Sequence, residues 1–187
     1  MAGQCILILG GARSGKSRFA KEMAMNLSEK VLFVATGEAQ DEEMKQRIEK
    51  HKQERPSNWR TVEVPTGIGR KIREEVGDAR VVIVDCLTLL VSNVLGQPGN
   101  DPEQIDTSVV EDRLNVEMKE LIGCMNDIAA TFILVSNEVG MGVVPASELG
   151  RIYRDLLGKV NQVLTEHADR VYFMLSGVPL NLKKEEA

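Results

Sequence analysis

The strongest chemical signal in the sequence is a glycine-rich segment near its start. Its residues read GGARSGKS and match the phosphate-binding pattern GxxxxGK[ST]; they are Gly10, Gly11, Ala12, Arg13, Ser14, Gly15, Lys16 and Ser17. In such a segment, glycines let backbone N–H groups surround phosphate oxygens, and the helix that follows directs its positive end at them. The lysine reaches the β- and γ-phosphates, and the serine hydroxyl is a ligand for Mg²⁺. The segment predicts a site for a nucleoside triphosphate with magnesium.

A second phosphate-site signal is a carboxylate at the end of an apolar run. Asp85 follows four consecutive Val or Ile residues, and an aspartate in that position commonly holds Mg²⁺ directly or through water. Such a run is also common in strands whose final acid only caps the strand end. The pairing with the glycine-rich segment favours a metal site, with Ser17 and Asp85 as its residues.

A missing motif and the composition of the chain exclude some classes of nucleotide-binding protein. It contains no [NT]KxD segment, with which switch GTPases read guanine. A net charge of −5 and an aromatic content of 4% argue against a motor that grips nucleic acid. A small kinase or a nucleotidyltransferase remains. A kinase without nucleotidyl transfer and a non-catalytic nucleotide-binding regulator stay open as alternatives.

One of the two histidines lies where a nucleophile can act on phosphorus. His51 falls in residues 41–55, a charged stretch with helical periodicity that Pro56 cannot continue. At about 100° per residue, one sector of this helix collects four residues that face protein or ligand: Met44, Ile48, His51 and Arg55. Neutral imidazole is a competent nucleophile. The alternative is a half-buried histidine that caps the helix end, which spacing alone favours for His51 and also for His167.

Short apolar runs and amphipathic stretches alternate along the chain. Five runs have the continuous aliphatic character of parallel strands buried on both faces: residues 5–10, 31–36, 81–86, 132–137 and 170–175. Residues 61–64 are a weaker strand candidate, and residues 178–182 follow Gly177 so closely that they must return antiparallel at the sheet edge. The pattern predicts an α/β fold, in which one doubly wound domain spans residues 1–187 with helices on both faces of a mostly parallel sheet.

Composition is that of a globular protein. The 187 residues are 43% hydrophobic and 27% charged, which suits one sizeable core. Three widely spaced cysteines without a CxxC pair indicate neither a disulfide framework nor a zinc site. No apolar run has the length of a membrane span. We therefore expect a cytoplasmic protein that binds neither nucleic acid nor membrane.

Four segments together resemble one known family. They are residues 10–17, 36–65, 85–93 and 136–162. The most specific parts are the string His-xxx-Arg-Pro-xx-Trp-x-Thr-x-Glu-x-Pro, which starts at His51, and Asn-Glu-Val-Gly-x-Gly, which starts at Asn137. Over almost its whole length the chain resembles the bifunctional adenosylcobinamide kinase/adenosylcobinamide-phosphate guanylyltransferase family.

That resemblance implies a RecA-like P-loop NTPase fold, a homotrimer and two reactions. In the first reaction, the terminal hydroxyl of adenosylcobinamide receives the γ-phosphoryl group of ATP or GTP. In the second, a histidine attacks the α-phosphorus of GTP and pyrophosphate leaves. The histidine-bound GMP then passes to adenosylcobinamide phosphate, which gives adenosylcobinamide-GDP.

The resemblance also implies site residues. It places the nucleophilic histidine on His51, which reverses the preference from spacing alone. Beyond the glycine-rich segment, it implies nucleotide contacts at Ala35, Thr36, Gly37, Lys52, Gln53, Glu54, Arg55, Glu63 and Asp85. Lys52 and Arg55 suit phosphate charge, and Glu63 can accept hydrogen bonds from guanine N1 and N2. Glu138 is either a carboxylate near the acceptor hydroxyl or a brace for the glycines that follow it, and both interpretations stay open.

Overall fold

The computed structural model describes residues 3–38, 42–53, 55–97 and 105–183, without the side chains of residues 43, 44, 47, 50 and 51. Strands and helices alternate through most of this part of the chain. The strands are β1 (Cys5–Gly10), β2 (Val31–Ala35), β3 (Arg60–Glu63), β4 (Val81–Asp85), β5 (Thr131–Val135), β6 (Arg170–Leu175) and β7 (Val178–Lys183). The helices are α1 (Lys16–Leu27), α2 (Glu42–Gln53), α3 (Ile68–Glu75), α4 (Leu87–Leu95), α5 (Thr107–Asp127) and α6 (Glu148–His167).

All seven strands form one sheet in the order β3-β2-β4-β5-β1-β6-β7. Every neighbouring pair is parallel except β6 and β7, which form the antiparallel edge hairpin. The sheet confirms the predicted fold class, a RecA-like P-loop NTPase fold. Strand β5 lies between β1 and β4, so the residues that follow β5 emerge between the glycine-rich segment and Asp85.

Two apolar layers bury the two faces of the sheet. One face carries Ile6 and Ile8 and is covered by the small residues Ala20 and Ala24 of α1. The other face is covered by α3, α4, α5 and α6, whose apolar residues form the larger core. A fully buried aliphatic side chain such as Leu121 contributes about 1.5–3 kcal/mol through apolar burial. Burial on both faces explains why the strand sequences lack alternation.

Two helices are not apparent from sequence periodicity. Helix α4 is buried on most sides, and its polar residues Thr88 and Asn93 are buried as well, so its sequence shows no exposed polar stripe. Helix α3 is short and approaches α5 closely at Gly69, where a Cβ atom would lie 2.4 Å from the carbonyl oxygen of Glu120. In α1, Ala20 and Ala24 make the buried contact with the sheet, whereas Leu27 is exposed.

The topology gathers chemistry-bearing residues at one edge of the sheet. The carboxyl ends of parallel strands meet at the same edge, which is where open α/β sheets bind ligands. The glycine-rich segment follows β1, Asp85 ends β4 and Glu63 ends β3. We describe this edge as the carboxyl edge.

Candidate active site

The segment between β1 and α1 forms a tight loop, the phosphate loop (residues 10–17), whose geometry depends on glycine. Gly10 and Gly15 have φ values of 150° and 95°, a region that side chains disfavour. A Cβ atom on Gly10 would lie 2.6 Å from the carbonyl oxygen of Met174 and 2.8 Å from Ser14 Oγ. The loop therefore closes tightly over the end of β1, directly before α1.

Polar groups lie inside the phosphate loop. Lys16 is buried, and its Nζ donates a hydrogen bond of 2.6 Å to the carbonyl oxygen of Gly11. Ser14 Oγ is buried and has no hydrogen-bond partner among the described residues. Ser17 is half-buried in the first turn of α1. The exposed rim of the loop consists of Ala12 and Arg13. A buried cation, an unused hydroxyl and the positive end of a helix fit a polyphosphate.

A row of residues across the carboxyl edge joins three predicted site positions. Ala35 pairs with Glu63 on one side and with Asp85 on the other. Asp85 pairs in turn with Val135 of β5, which is the neighbour of β1. Asp85, the predicted magnesium ligand, and Glu63, the predicted guanine contact, are therefore in register at the carboxyl edge. The phosphate loop lies two strands from Asp85.

Thr36 ties the ends of β2 and β4 together. Its hydroxyl donates a hydrogen bond of 2.6 Å to the carbonyl oxygen of Cys86 and accepts one of 2.9 Å from the Cys86 N–H. Asn93 Nδ2 donates to the carbonyl oxygens of Thr36 and Pro65, at 2.8 and 3.0 Å. Because both bonds of the buried hydroxyl are made within the protein, Thr36 acts on this edge by holding its backbone. Sequence reasoning missed Asn93, which belongs to the unpredicted helix α4.

Helix α2 lies over the end of β2. A Cβ atom on Gly37 would lie 3.4 Å from Ile48 Cδ1, so the second half of α2 contacts this edge. The backbone of His51 is in the following turn, and the helix ends at the exposed Gln53. The side chain of His51 and the whole of Glu54 lie outside the described residues.

Beyond the end of α2 is a cavity of about 390 Å³, which we call the basic cavity. Its size is within the range of about 300–1,000 Å³ typical of small-ligand pockets. It is lined by Lys52, Arg55, Pro56, Ser57, Trp59, Thr61 and Glu63. The structure thus brings together three of the predicted nucleotide contacts, Lys52, Arg55 and Glu63.

The charged groups of the basic cavity are held by specific contacts. Lys52 Nζ lies 2.6 Å from Glu63 Oε1. The Arg55 guanidinium lies 4.1 Å above the ring of Phe33, which stacks on Trp59 with a centroid distance of 6.4 Å. Burial lowers the pKa of Arg55, while the carboxylates of Asp85 and Glu63 oppose that shift. Arg55 therefore stays cationic. Its guanidinium lies on an aromatic ring, and its charge is available to bind an anion.

Phe33 and Trp59 are site-shaping residues that sequence reasoning did not assign. Phe33 is an apolar strand residue with no chemical signal of its own. Trp59 is the one tryptophan in the sequence and belongs to the family-like string. The structure also corrects the expected position of Arg55, which lies just beyond α2 rather than on its surface.

The segment after β5 is fixed between the phosphate loop and α4. The N–H of Asn137 donates to Thr88 Oγ1 at 2.8 Å, and Asn161 Nδ2 donates to the carbonyl oxygen of Asn137 at 3.0 Å. The N–H of Glu138 donates to the carbonyl oxygen of Gly10 at 3.0 Å. Thr88 and Asn161 could not be found from sequence, because they act only through contacts between distant elements.

The Glu138 side chain braces the next turn. Its Oε1 accepts a hydrogen bond of 2.5 Å from the N–H of Gly140. This contact matches the bracing interpretation of the sequence. The backbone of Glu138 is nonetheless beside the phosphate loop, so the acceptor interpretation is a question of side-chain rotation and stays a prediction.

Two further nucleophile candidates are disfavoured by their surroundings. Burial, and secondarily the charge of Asp85, raises the pKa of Cys86 to about 11, so this thiol is protonated at neutral pH and weakly nucleophilic. His167 is the last residue of α6, and its Nδ1 lies 2.8 Å from the carbonyl oxygen of Val163. Because β6 begins three residues later at Arg170, His167 lies at the edge of the sheet opposite the phosphate loop.

A solved structure with the same fold supports the description of the sheet. The chain is similar to the flagellar accessory protein FlaH from Methanocaldococcus jannaschii, with a TM-score of 0.54 over 98% of this chain and 80% of that chain. The two sequences are 17% identical. This likeness concerns the fold alone.

Sequence relatives are much closer. The chain is 42% identical to the bifunctional adenosylcobalamin biosynthesis protein CobU of Escherichia coli over 180 residues, which are 95% of this chain and 99% of that protein. It is 42% identical over 179 residues to the corresponding protein CobP of Pseudomonas aeruginosa, covering 96% of this chain and 97% of that protein. The family model described as cobinamide kinase / cobinamide phosphate guanyltransferase matches residues 6–182. The chain therefore belongs to the CobU family.

Proposed function

We propose that the chain is a bifunctional enzyme of cobalamin biosynthesis. It phosphorylates adenosylcobinamide with ATP or GTP, and it then transfers GMP from GTP to adenosylcobinamide phosphate through a GMP bound to His51. Membership of the CobU family supports this proposal. The structural observation that carries it is that the phosphate loop and Glu63, which lines the basic cavity, both lie at the carboxyl edge of one sheet.

In the kinase step, the acceptor hydroxyl oxygen forms a bond to the γ-phosphorus as the bond from the γ-phosphorus to the β–γ bridging oxygen breaks. The nucleoside diphosphate leaves with that oxygen, and the hydroxyl proton passes to water. The phosphate loop holds the nucleotide, and Lys16 stabilises the charge on its oxygens. Mg²⁺ would be held by Ser17 and Asp85 and would neutralise phosphate charge. No group of three His, Cys, Asp or Glu side chains suited to a metal occurs among the described residues. This fits an ion that takes most of its ligands from phosphates and water.

In the transfer step, the His51 imidazole nitrogen bonds to the α-phosphorus and pyrophosphate leaves with the α–β bridging oxygen. A phosphate oxygen of adenosylcobinamide phosphate then displaces the imidazole and forms the diphosphate product. Lys52 and Arg55, at the end of the same helix, would balance the charge on the transferred phosphoryl group. The histidine is the nucleophile in this proposal, since the Cys86 thiol is protonated.

We also propose that the protein is a cytoplasmic homotrimer. Support comes from the edge strand β7, which exposes three apolar side chains, Val178, Leu180 and Leu182. Such an edge is a favourable surface for contact between copies. In a trimer, the histidine helix of one subunit can work beside the phosphate loop of a neighbour. No helix in the described ranges is long and apolar enough to cross a membrane.

A product assay with two labelled nucleotides tests the proposed activities. We expect label from γ-labelled ATP in adenosylcobinamide phosphate and label from α-labelled GTP in adenosylcobinamide-GDP. Formation of the first product alone would leave only a kinase. Formation of neither product, with nucleotide binding retained, would indicate a non-catalytic regulator.

The role of Glu63 predicts discrimination between nucleotides. Replacing Glu63 with Gln should raise the Kd for GTP by about tenfold and the Kd for ATP by less than about twofold, because an amide cannot accept both guanine N–H donors. The affinities can be measured by calorimetry. Glu111→Gln is a matched control, because Glu111 is also paired with a lysine at 2.6 Å but lies on α5. Equal losses for both nucleotides would remove the guanine contact.

A further inference from the structure

The connection between β5 and α6 presents apolar side chains to solvent. Met141, Val143 and Val144 are 80%, 95% and 62% exposed. Single exposed apolar residues are ordinary, but three within four positions form a small apolar patch of the kind that marks a binding surface. We call residues 141–144 the apolar tip.

The apolar tip is held outward by a braced frame. At its start, Asn137 is fixed by Thr88 and Asn161, and Val139 packs against the larger core. At its end, Arg151 Nη1 donates to the carbonyl oxygens of residues 145 and 146, at 3.1 and 2.8 Å. Ser147 then caps α6 by accepting a hydrogen bond of 3.2 Å from the Gly150 N–H. These contacts fix the backbone on both sides of the apolar tip, so the tip is held in its exposed position.

The position of the frame points to what covers the tip. The Glu138 N–H bonds to the carbonyl oxygen of Gly10, so the connection leaves the sheet beside the phosphate loop. An acceptor hydroxyl that attacks the γ-phosphorus must come to the same place, and the remainder of the acceptor must rest on the adjoining surface. This step rests on the proposed kinase function.

We infer that the apolar tip, Met141–Gly142–Val143–Val144, is part of the acceptor site and binds the apolar, methyl-bearing surface of the corrin ring of adenosylcobinamide. A corrinoid is large and carries both apolar ring surface and amide arms. Valine and methionine side chains suit the ring surface, and Met adapts to an irregular shape. The tip thus contributes to binding of the acceptor and makes no contact with the nucleotide.

The test is a double variant, Met141→Ser with Val143→Ser. We expect the KM for adenosylcobinamide to rise by about tenfold or more, because two apolar contacts are lost. The kcat, the KM for ATP and the labelling of the protein by α-labelled GTP should stay within about twofold. The matched control is Val109→Ser with Val116→Ser on α5, whose side chains are 40% and 56% exposed. The control should leave all four quantities unchanged.

Light scattering and direct binding separate the remaining outcomes. An unchanged KM and an unchanged Kd for adenosylcobinamide would overturn the inference. A variant that loses its oligomeric state would overturn it in favour of a contact between copies of the chain. If the unaltered protein does not phosphorylate adenosylcobinamide, the proposed kinase function is wrong, and the acceptor site inferred from it is wrong as well. Should the double variant misfold, Val143→Thr, which keeps the side-chain shape, must still raise the KM.

Discussion

Replacing Lys16 with Met is expected to lower kcat/KM for phosphorylation of adenosylcobinamide by about 10²–10³-fold, the usual loss when one preorganised donor to a developing negative charge is removed. The ammonium of Lys16 is buried and held 2.6 Å from the Gly11 carbonyl oxygen. Methionine keeps the length of the side chain and removes its charge. Initial rates at varied ATP and adenosylcobinamide measure the loss.

The control for this variant is Lys30→Met. Lys30 is an exposed lysine whose Nζ lies 2.9 Å from Asp78 Oδ2, outside the phosphate loop. It should keep the rate within about twofold, as expected for a surface ion pair. Thermal unfolding of both variants shows whether the fold is kept. A Lys16 variant with full kinase activity would remove the phosphate loop from the reaction.

Replacing His51 with Ala is expected to abolish transfer of GMP, with a loss of at least about 10⁴-fold in rate, because the proposed covalent nucleophile is removed. Phosphorylation of adenosylcobinamide by ATP should continue within about threefold, since the phosphate loop is intact. The two reactions can be followed separately with γ-labelled ATP and α-labelled GTP. The selective loss distinguishes a nucleophile from a residue that only stabilises α2.

His167→Ala is the matched control for this second prediction. His167 ends α6 at the edge of the sheet opposite the phosphate loop, where its ring lies near the Val163 carbonyl oxygen. Both reactions should be unaffected. Retention of GMP transfer in the His51 variant, or its loss in the His167 variant, would contradict the assignment.

The fold was largely predictable because strands that are buried on both faces have continuous aliphatic sequences. Continuous aliphatic runs led to the parallel strands, and the short Ser176–Gly177 connection led to the antiparallel hairpin. Helix α4 was not predictable from periodicity, because burial on most sides removes the polar stripe that marks an amphipathic helix. The order of the strands was not predicted, since periodicity does not say which strands are neighbours.

The site was predictable to the extent that residue type carries its chemistry. The phosphate loop and Asp85 stand out by motif, and the resemblance supplied Lys52, Arg55 and Glu63, which the structure brings into one cavity. Phe33, which carries Arg55 on its ring, has no such signal. Thr88 and Asn161 were also not predictable, because their function is to fix the backbone of Asn137, which is distant from both in sequence.

The central claim is that the imidazole of His51 carries GMP between two substrates. Mass spectrometry of the protein after incubation with GTP and Mg²⁺, without acceptor, tests it most directly. The account predicts one guanylyl group on the peptide that contains His51, stable to denaturation at neutral pH and lost in acid. A guanylyl group on any other residue, or an unmodified protein that still forms adenosylcobinamide-GDP, would contradict it.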